Sequence, residues 1–329
     1  MKHLPALLAA LCLALPLRAE EAAPLALKTT IALPGVEGRF DHAAFDAATH
    51  RLFFAALGNN TLEVVDVAAG KRLHTITGLK KPTGVVFLAE MNLLVVANGG
   101  DGTCRFYDGA SYAEKGRVSG VDDADNLRFD AKAKRIYLGY GEGALGVMDP
   151  ATMKLIASIP LAKHPESFQL EENGPRIFVN VPDAKHIAVV DRAAGKVVAT
   201  WPVEDARANF PMALAEAQHR VFIGCRAPAR LLAFDTESGK RIADAPLSGD
   251  IDDLFFDAAS SRLLASCGEG FIDVFHFTAP ATLERTHRMP GAAGARTAFF
   301  KVDSGFFLAV PHRGAQAAEI RIFAADGTH

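Results

Sequence analysis

The sequence is poor in cysteine and tryptophan, and in the short motifs that mark a cofactor site or a catalytic nucleophile. Among 329 residues there are four cysteines and one tryptophan, and neither Cys-x-x-Cys nor His-x-x-x-His occurs. Cys-x-x-Cys-His and Gly-x-Ser-x-Gly are absent as well. The sequence therefore gives no support for covalently attached haem, for a serine-hydrolase nucleophile elbow or for a zinc site built from one local motif.

The chain also lacks runs of like charge and long apolar segments. Lys and Arg number 35 against 38 Asp and Glu, which gives a net charge of −3. Domains that bind nucleic acid usually carry a basic surface, so the composition disfavours nucleic acid as a partner. Beyond Leu17 no segment approaches the 18 apolar residues of a membrane helix, and we expect no membrane anchor.

The N-terminus has the pattern of a secretory signal. Lys2 and His3 precede an apolar stretch that ends at Leu17, and Leu17-Arg18-Ala19 forms a cleavage site before Glu20. We therefore expect a signal peptide over residues 1–19 and a single domain over residues 20–329. The mature protein is expected to be periplasmic or secreted.

Three cysteines lie beyond this segment: Cys104, Cys225 and Cys267. An odd number gives no complete disulfide framework. Cys225 and Cys267 occupy equivalent positions in neighbouring repeats, and such positions on stacked sheets lie about 10 Å apart, too far for a disulfide. Buried apolar thiols are the favoured interpretation; a metal pair or a redox switch stays open.

A sequence repeat of about 42 residues runs along nearly the whole chain. It opens on an apolar residue, often followed six places later by Arg, and closes on Val-Asp and a Gly-Lys turn. The opening residues are Phe45, Phe87, Phe129, Leu170, Leu214, Phe256 and Phe300. Each unit holds four short runs rich in Val, Ile, Leu and Phe, which in the first unit are 42–45, 52–56, 62–65 and 72–76. This pattern predicts an all-β, seven-bladed β-propeller of four-stranded antiparallel blades.

The two ends of the chain complement each other. The last repeat stops at residues 320–323 without a fourth run, and residues 28–33 before the first repeat resemble the missing strand. An unpaired edge invites aggregation. We therefore predict that the N-terminal strand completes the seventh blade and closes the ring.

The repeats resemble those of the secreted YVTN-repeat propellers, the family that includes the YncE-like proteins. The resemblance is carried by the Val-Val-Asp…Gly-Lys turns, by the second strands 94–98 and 177–180, and by the first-strand openings 81–86 and 164–167. A single Trp201 disfavours a WD40 repeat by sequence. The resemblance implies a rigid propeller in the bacterial envelope and leaves the activity open, because propellers serve many functions.

The loops that enter the first strands are the most favourable place for a site, because they lie on one rim of the central channel. Four residues before each opening residue stand Asp41, Thr83, Asp125, Glu166, Phe210, Asp252 and Arg296. One place later come His42, Gly84, Asn126, Ser167, Pro211, Asp253 and Thr297, with Asn209 and His164 further out. We predict that nine of these residues form a ligand-binding rim: Asp41, His42, Asp125, Asn126, Glu166, Asn209, Asp252, Asp253 and Arg296.

The carboxylates of this rim repel one another unless a cation lies among them. Arg296 is the expected internal partner. The alternative is Ca²⁺ or another divalent cation, which takes several oxygen ligands in a flexible shell. Its ligands would be Asp41, Asp125, Glu166 and Asp252. Polar residues that only hold channel water remain the simpler interpretation.

Three functions stay open from the sequence. The favoured one is non-enzymatic binding of a periplasmic protein or small ligand through the rim, because no catalytic pattern stands out. The least favoured one is an accessory factor in a periplasmic metal or redox pathway, which would bind its cofactor through His42, His164 and His312. The remaining function lies between these two.

The second function is a metal-dependent hydrolase similar to the propeller lactonases. That resemblance implies an ion held by Glu166, Asn126 and Asp252 or Asp253, with Asp41 or His42 as general base.

Overall fold

The computed structural model describes residues 24–325, so the expected signal peptide lies outside the described residues. Within that range the secondary structure consists of 28 strands and four short 3-10 turns. None of the helical turns there is long and apolar enough to cross a membrane.

The strands form seven four-stranded sheets within the described range. β1 (Leu25–Leu33) comes first. Blade one comprises β2 (Ala43–Asp46), β3 (Arg51–Ala56), β4 (Thr61–Asp66) and β5 (Lys71–Ile76). Blade two comprises β6 (Pro82–Leu88), β7 (Leu93–Asn98), β8 (Thr103–Asp108) and β9 (Glu114–Ser119). Blade three comprises β10 (Leu127–Asp130), β11 (Arg135–Tyr140), β12 (Ala144–Asp149) and β13 (Lys154–Pro160).

The remaining blades follow the same order. Blade four comprises β14 (Phe168–Leu170), β15 (Arg176–Val181), β16 (His186–Asp191) and β17 (Lys196–Pro202). Blade five comprises β18 (Arg207–Ala215), β19 (Arg220–Ala227), β20 (Ala229–Asp235) and β21 (Arg241–Pro246). Blade six comprises β22 (Ile251–Asp257), β23 (Arg262–Cys267), β24 (Phe271–Thr278) and β25 (Thr282–Pro290). Blade seven contains β26 (Ala298–Lys301), β27 (Gly305–Val310) and β28 (Ala318–Ala325).

Blade seven is completed by the N-terminal strand, as the sequence predicts. Its strand order is β1-β28-β27-β26, and β1 pairs antiparallel with β28 from Leu25 opposite Ala325 to Leu33 opposite Ala318. The ring therefore closes by main-chain hydrogen bonds between the two ends of the described chain. Closure removes the exposed edge that an incomplete blade would present.

The repeated polar residues stabilise the hairpins. In blade one, Asp46 forms an ion pair of 2.9 Å with Arg51, and Asp66 Oδ1 accepts a hydrogen bond from the Ala69 N–H at 2.8 Å. Gly70 has a φ of 65°, which the tight turn requires. Blade three departs from this pattern, because Asp130 pairs with Arg192 of the next blade at 2.5 Å. The repeated Asp, Arg and Gly thus serve the fold.

The core lies between adjacent blades. Phe54 of blade one and Phe307 of blade seven belong to one buried cluster, so apolar packing also joins the first and last blades. Cys104, Cys225 and Cys267 are free and buried, as the sequence predicts. Burial raises the pKa of Cys225 to about 12, which removes thiolate character at neutral pH.

Candidate functional site

The rim residues are placed by the same pair of backbone hydrogen bonds in three blades. In blade one the Asp41 N–H donates to Ala55 O at 2.8 Å, and the Ala55 N–H donates to His42 O at 3.0 Å. Corresponding pairs join Asp125 and Asn126 to Gly139, and Glu166 and Ser167 to Asn180, at distances of 2.9 and 3.0 Å. The loop of each blade is thereby fixed to the second strand. The side chains project from a rigid frame.

These loops surround a cavity of about 300 Å³ at one mouth of the channel. It brings together all four carboxylates of the predicted ring together with His42 and Asn126. Its wall consists of Arg39, Asp41, His42, Thr83, Asp123, Asp125, Asn126, His164, Glu166, Ser167, Phe210, Arg226 and Asp252. The structure therefore brings these repeat positions together at one cavity.

The negative charges in the cavity perturb one another. The pKa of Glu166 is raised to about 9, first by burial and then by the charge of Asp125. Burial likewise raises the pKa of Asp41 to about 7, although His42 opposes the shift. Burial alone would lower the pKa of His42, but the charges of Asp41 and Asp253 raise it to about 10. A protonated His42 is therefore one counter-ion of the cluster when no other cation is bound.

Asp252 has a counter-ion of its own. Arg226 donates from Nη2 to Asp252 and from Nε to the Ile251 carbonyl oxygen at 2.7 Å. The pKa of Asp252 is nevertheless raised to about 6, because burial outweighs the attraction of Arg226. Arg226 lies near the C-terminal end of β19. The repeat positions do not predict its role in the site, because it pairs with a residue of the next blade.

Arg296 has a different partner from the one expected. Its Nη1 donates to Asp250 at 2.7 Å, whereas its Nε is 3.9 Å from Asp252. Asp250 lies two residues before the predicted ring, where a positive φ of 59° turns the chain. Arg296 therefore lies beside the cavity and neutralises a carboxylate outside it.

Asn209, which the sequence places in the rim, does not line this cavity. A register shift between Asn209 and Met212 breaks the regular pairing of β18 with β19. Asn209 is buried and donates from Nδ2 to Asn180 Oδ1 at 2.9 Å. It acts as a link between blades four and five.

Asp253 lies one layer deeper in the channel. Its Oδ2 accepts a hydrogen bond from the Ala298 N–H at 2.8 Å, and its Oδ1 is 3.6 Å from Nδ1 of His42. It contributes to the wall of a second cavity of about 360 Å³. Six phenylalanines contribute to that wall, and His42 and Arg128 are its basic residues. Asp253 is therefore positioned to orient His42 rather than to contact a ligand in the first cavity, the one at the channel mouth, which we call the upper cavity.

The histidines of the third hypothesis do not all meet. His42 and His164 line the upper cavity, whereas His312 pairs with Glu37 at 3.0 Å and is not part of the cavity wall. His164 lies closer to the site than the sequence suggests. His276, which replaces the turn Asp of blade six, is exposed.

Comparison with known proteins identifies the fold only. No protein-family model and no curated protein matches the chain. Among solved structures 1691 chains match, so this architecture is common. One is a chain in the crystal structure of the mitotic checkpoint complex. It superposes with a TM-score of 0.77 at 12% identity over 98% of this chain and 99% of that chain. A likeness at this identity shows a seven-bladed propeller and leaves the function to be argued from the site.

Proposed function

We propose that this protein is a binding scaffold whose channel mouth holds a small, polar, cationic ligand. The observation that carries the proposal is the excess of negative charge in one small cavity. Asp41, Asp125, Glu166 and Asp252 line it, whereas its two arginines pair with Asp252 (Arg226) and, at 3.6 Å, with Asp41 (Arg39). Such a group of carboxylates favours a bound cation.

The dimensions and rigidity of the cavity support a small ligand rather than a protein. A volume of about 300 Å³ accommodates an ion with its water shell or a compact organic cation. The backbone hydrogen bonds at Asp41, Asp125 and Glu166 hold the carboxylates before a ligand arrives. A pre-organised site loses little conformational entropy on binding.

A metal-dependent hydrolase similar to the propeller lactonases is the second candidate, and one observation favours it. The pKa of Asp41 is raised to about 7, chiefly by burial. A carboxyl group with that pKa can accept or donate a proton at neutral pH, as a general base or acid must. Asp41 lies beside His42 and Asp125, where a cation would activate water.

Export and family membership complete the proposal. The pattern over residues 1–19 supports a cleaved signal, and the YVTN-like repeats support a place among the envelope propellers. Expression of the full chain in a Gram-negative host should yield a periplasmic protein whose first residue is Glu20. Recovery of an uncleaved chain in the cytoplasm would contradict this part.

The binding proposal is tested with the chain that begins at Glu20. Calorimetric titration with Ca²⁺, Zn²⁺ and putrescine, an organic dication, should detect at least one ligand. Asp125→Asn should weaken binding by about tenfold or more, because it removes a central carboxylate. Glu142→Gln is the matched control, since Glu142 is exposed and outside the cavity wall, and should change the affinity by less than about twofold. Failure of all three ligands to bind would contradict the proposal.

A further inference from the structure

Both imidazoles of the upper cavity have one ring nitrogen engaged away from the carboxylate cluster. His164 Nδ1 is 2.6 Å from the carbonyl oxygen of Gly141. A carbonyl oxygen only accepts, so Nδ1 must carry the proton and Nε2 is the ring nitrogen left with a lone pair in the neutral tautomer. His42 Nδ1 is 3.6 Å from Oδ1 of Asp253.

The carboxylate that faces Nδ1 of His42 is itself fixed in place. Asp253 Oδ2 accepts a hydrogen bond from the Ala298 N–H at 2.8 Å, so the carboxylate is held by blade seven. Nε2 of His42 then lies 3.4 Å from Asp41 and 4.0 Å from Asp125. An imidazole oriented through Nδ1 by a carboxylate or a backbone carbonyl, with Nε2 among further ligands, is the arrangement typical of metal-binding histidines.

The ligand atoms are close enough to share an ion. Those of Asp41, His42 and Asp125 all lie within 4.8 Å of one another, and so do those of Asp125, His164 and Glu166. Bonds of about 2.0–2.2 Å from one ion would bring such atoms to roughly 3.3–4.4 Å apart. Asp125 belongs to both groups and is therefore the ligand that two triads share, each with one histidine.

A buried amide supplies an independent indication of a ligand. Asn126 is 1% exposed and lines the same cavity, and its Oδ1 has no hydrogen-bond partner among the described residues. Buried polar atoms are nearly always paired. An ion bound directly to this oxygen would satisfy it.

We propose that the channel mouth binds transition-metal ions at these two triads, which share Asp125 and take the Nε2 atoms of His42 and His164 as nitrogen ligands. This deepens the proposed function and rests on it. Mixed imidazole and carboxylate ligands suit Zn²⁺, Co²⁺, Ni²⁺ or Cu²⁺, whereas Ca²⁺ and Mg²⁺ take oxygen shells. Asp41 and Glu166 supply the remaining negative charge around the bound ions. Asp252 stays with Arg226, so the ligand set differs from the all-oxygen ring that the sequence suggests.

A purely structural role for His42 makes different predictions. As an imidazolium it would pair with Asp41 and Asp253 and keep metal ions out. The two roles are separated by a signal that arises only from a nitrogen–metal bond. Electron paramagnetic resonance of bound Cu²⁺ gives nitrogen hyperfine splitting when imidazole coordinates the ion.

The experiment uses the chain from Glu20 after chelator treatment and dialysis. Zn²⁺ is expected to bind at least about 100-fold more tightly than Ca²⁺, and bound Cu²⁺ should show nitrogen splitting. His42→Gln and His164→Gln should each weaken Zn²⁺ binding by about 100-fold. Asp253→Asn should weaken it by about 10–100-fold, the usual effect of an outer-shell partner. His312→Gln is the matched control and should change it by less than about twofold.

The outcomes separate this inference from the proposed function. If Ca²⁺ binds as tightly as Zn²⁺ and the histidine variants have unchanged affinity, the nitrogen ligands are wrong while cation binding stands. If only putrescine binds, the metal site is wrong and the scaffold proposal stands. If no cation binds, both are wrong. Should a variant fail to fold, the Cu²⁺ spectrum of the unaltered chain still decides whether nitrogen ligands are present.

Discussion

Arg226 of blade five and Asp252 of blade six form an ion pair at the channel mouth. The guanidinium also donates to the Ile251 carbonyl oxygen at 2.7 Å and lies 4.3 Å from the ring centroid of Phe210. Hydrogen bonds and a cation–π contact therefore hold it from two sides. This pair neutralises Asp252, and Arg39 lies 3.6 Å from Asp41, so that among the described residues Asp125 and Glu166 have no arginine partner.

Arg226→Met is expected to lower the free energy of unfolding by about 2 kcal/mol, because it leaves a buried carboxylate without its counter-ion. The double variant Arg226→Met/Asp252→Asn should recover much of that loss. Urea denaturation measures both. Arg230→Met is the matched control, since Arg230 and Asp244 form a more exposed pair, and should cost less than about 1 kcal/mol. Equal losses for the two arginines would contradict the assigned pair.

The stability of the metal-free protein should fall as the pH rises from about 6 to 10. The pKa of Glu166 is raised to about 9 chiefly by burial, and that of His42 to about 10 by nearby carboxylates that outweigh its burial. The folded state therefore keeps protons that the unfolded chain releases, so the unfolded state binds fewer protons across this range and rising pH favours unfolding. Melting temperatures recorded across this range test the sign.

Glu166→Gln should flatten that dependence. The amide cannot ionise, so the variant is expected to be more stable than the unaltered chain by several kcal/mol at pH 9.5 and by less than about 1 kcal/mol at pH 5. Glu142→Gln, an exposed position, should leave the curve unchanged. A steeper decline in Glu166→Gln would show that the carboxylate is stabilised when charged.

Gly84→Ala should displace the Asp125 loop. A Cβ at position 84 would lie 2.1 Å from the Asp125 carbonyl oxygen and 3.0 Å from the Leu127 nitrogen, and backbone atoms of a neighbouring blade cannot move aside easily. We expect a loss of about 1–3 kcal/mol in stability and at least a tenfold loss in cation affinity. At Gly249 the nearest atom is the flexible end of Glu269 at 3.3 Å, so Gly249→Ala is the control. Unchanged binding in Gly84→Ala would show that Asp125 is not needed in this position.

Only the buried side chains of β1, the strand that closes the ring, should contribute strongly to stability. Ile31 is 2% exposed and Leu27 is 54% exposed, although both lie on β1. Ile31→Ala is expected to cost about 2–4 kcal/mol, because it leaves a cavity between blades, whereas Leu27→Ala should cost less than about 0.5 kcal/mol. Thermal unfolding compares the two. A negligible effect of Ile31→Ala would mean that β1 contributes little to closure.

Much of the fold could be predicted from the sequence because its information is local and repeated. The opening residue, the turn Asp and the turn Gly recur at nearly constant spacing, and each is read within one unit. The role of the N-terminal strand could be predicted by counting strands, because the last repeat lacks its fourth strand and its blade needs one. The level of the site in the channel followed from the same spacing, which placed Asp41, Asp125 and Glu166 on one rim.

Pairing around the ring could not be predicted in this way. His42 meets Asp253 across 211 positions of sequence, and Asp130 meets Arg192 instead of the Arg135 of its own repeat. Such contacts join different blades, and their distances depend on the curvature of the closed ring. Arg226 shows the same limit, because nothing in its own repeat marks it as a partner of Asp252.

The sequence by itself determined the strand order, the number of blades and the level at which polar side chains enter the channel. These depend on the two-residue period of strands and on turn residues, which act over a few positions. Only the tertiary structure decided that Asn209 turns inward at a bulge, that Arg296 pairs with Asp250 and that His42 is oriented by Asp253. The physical reason is that hydrogen bonds and ion pairs act over about 3–4 Å, a scale set by how blades pack and not by their spacing along the chain.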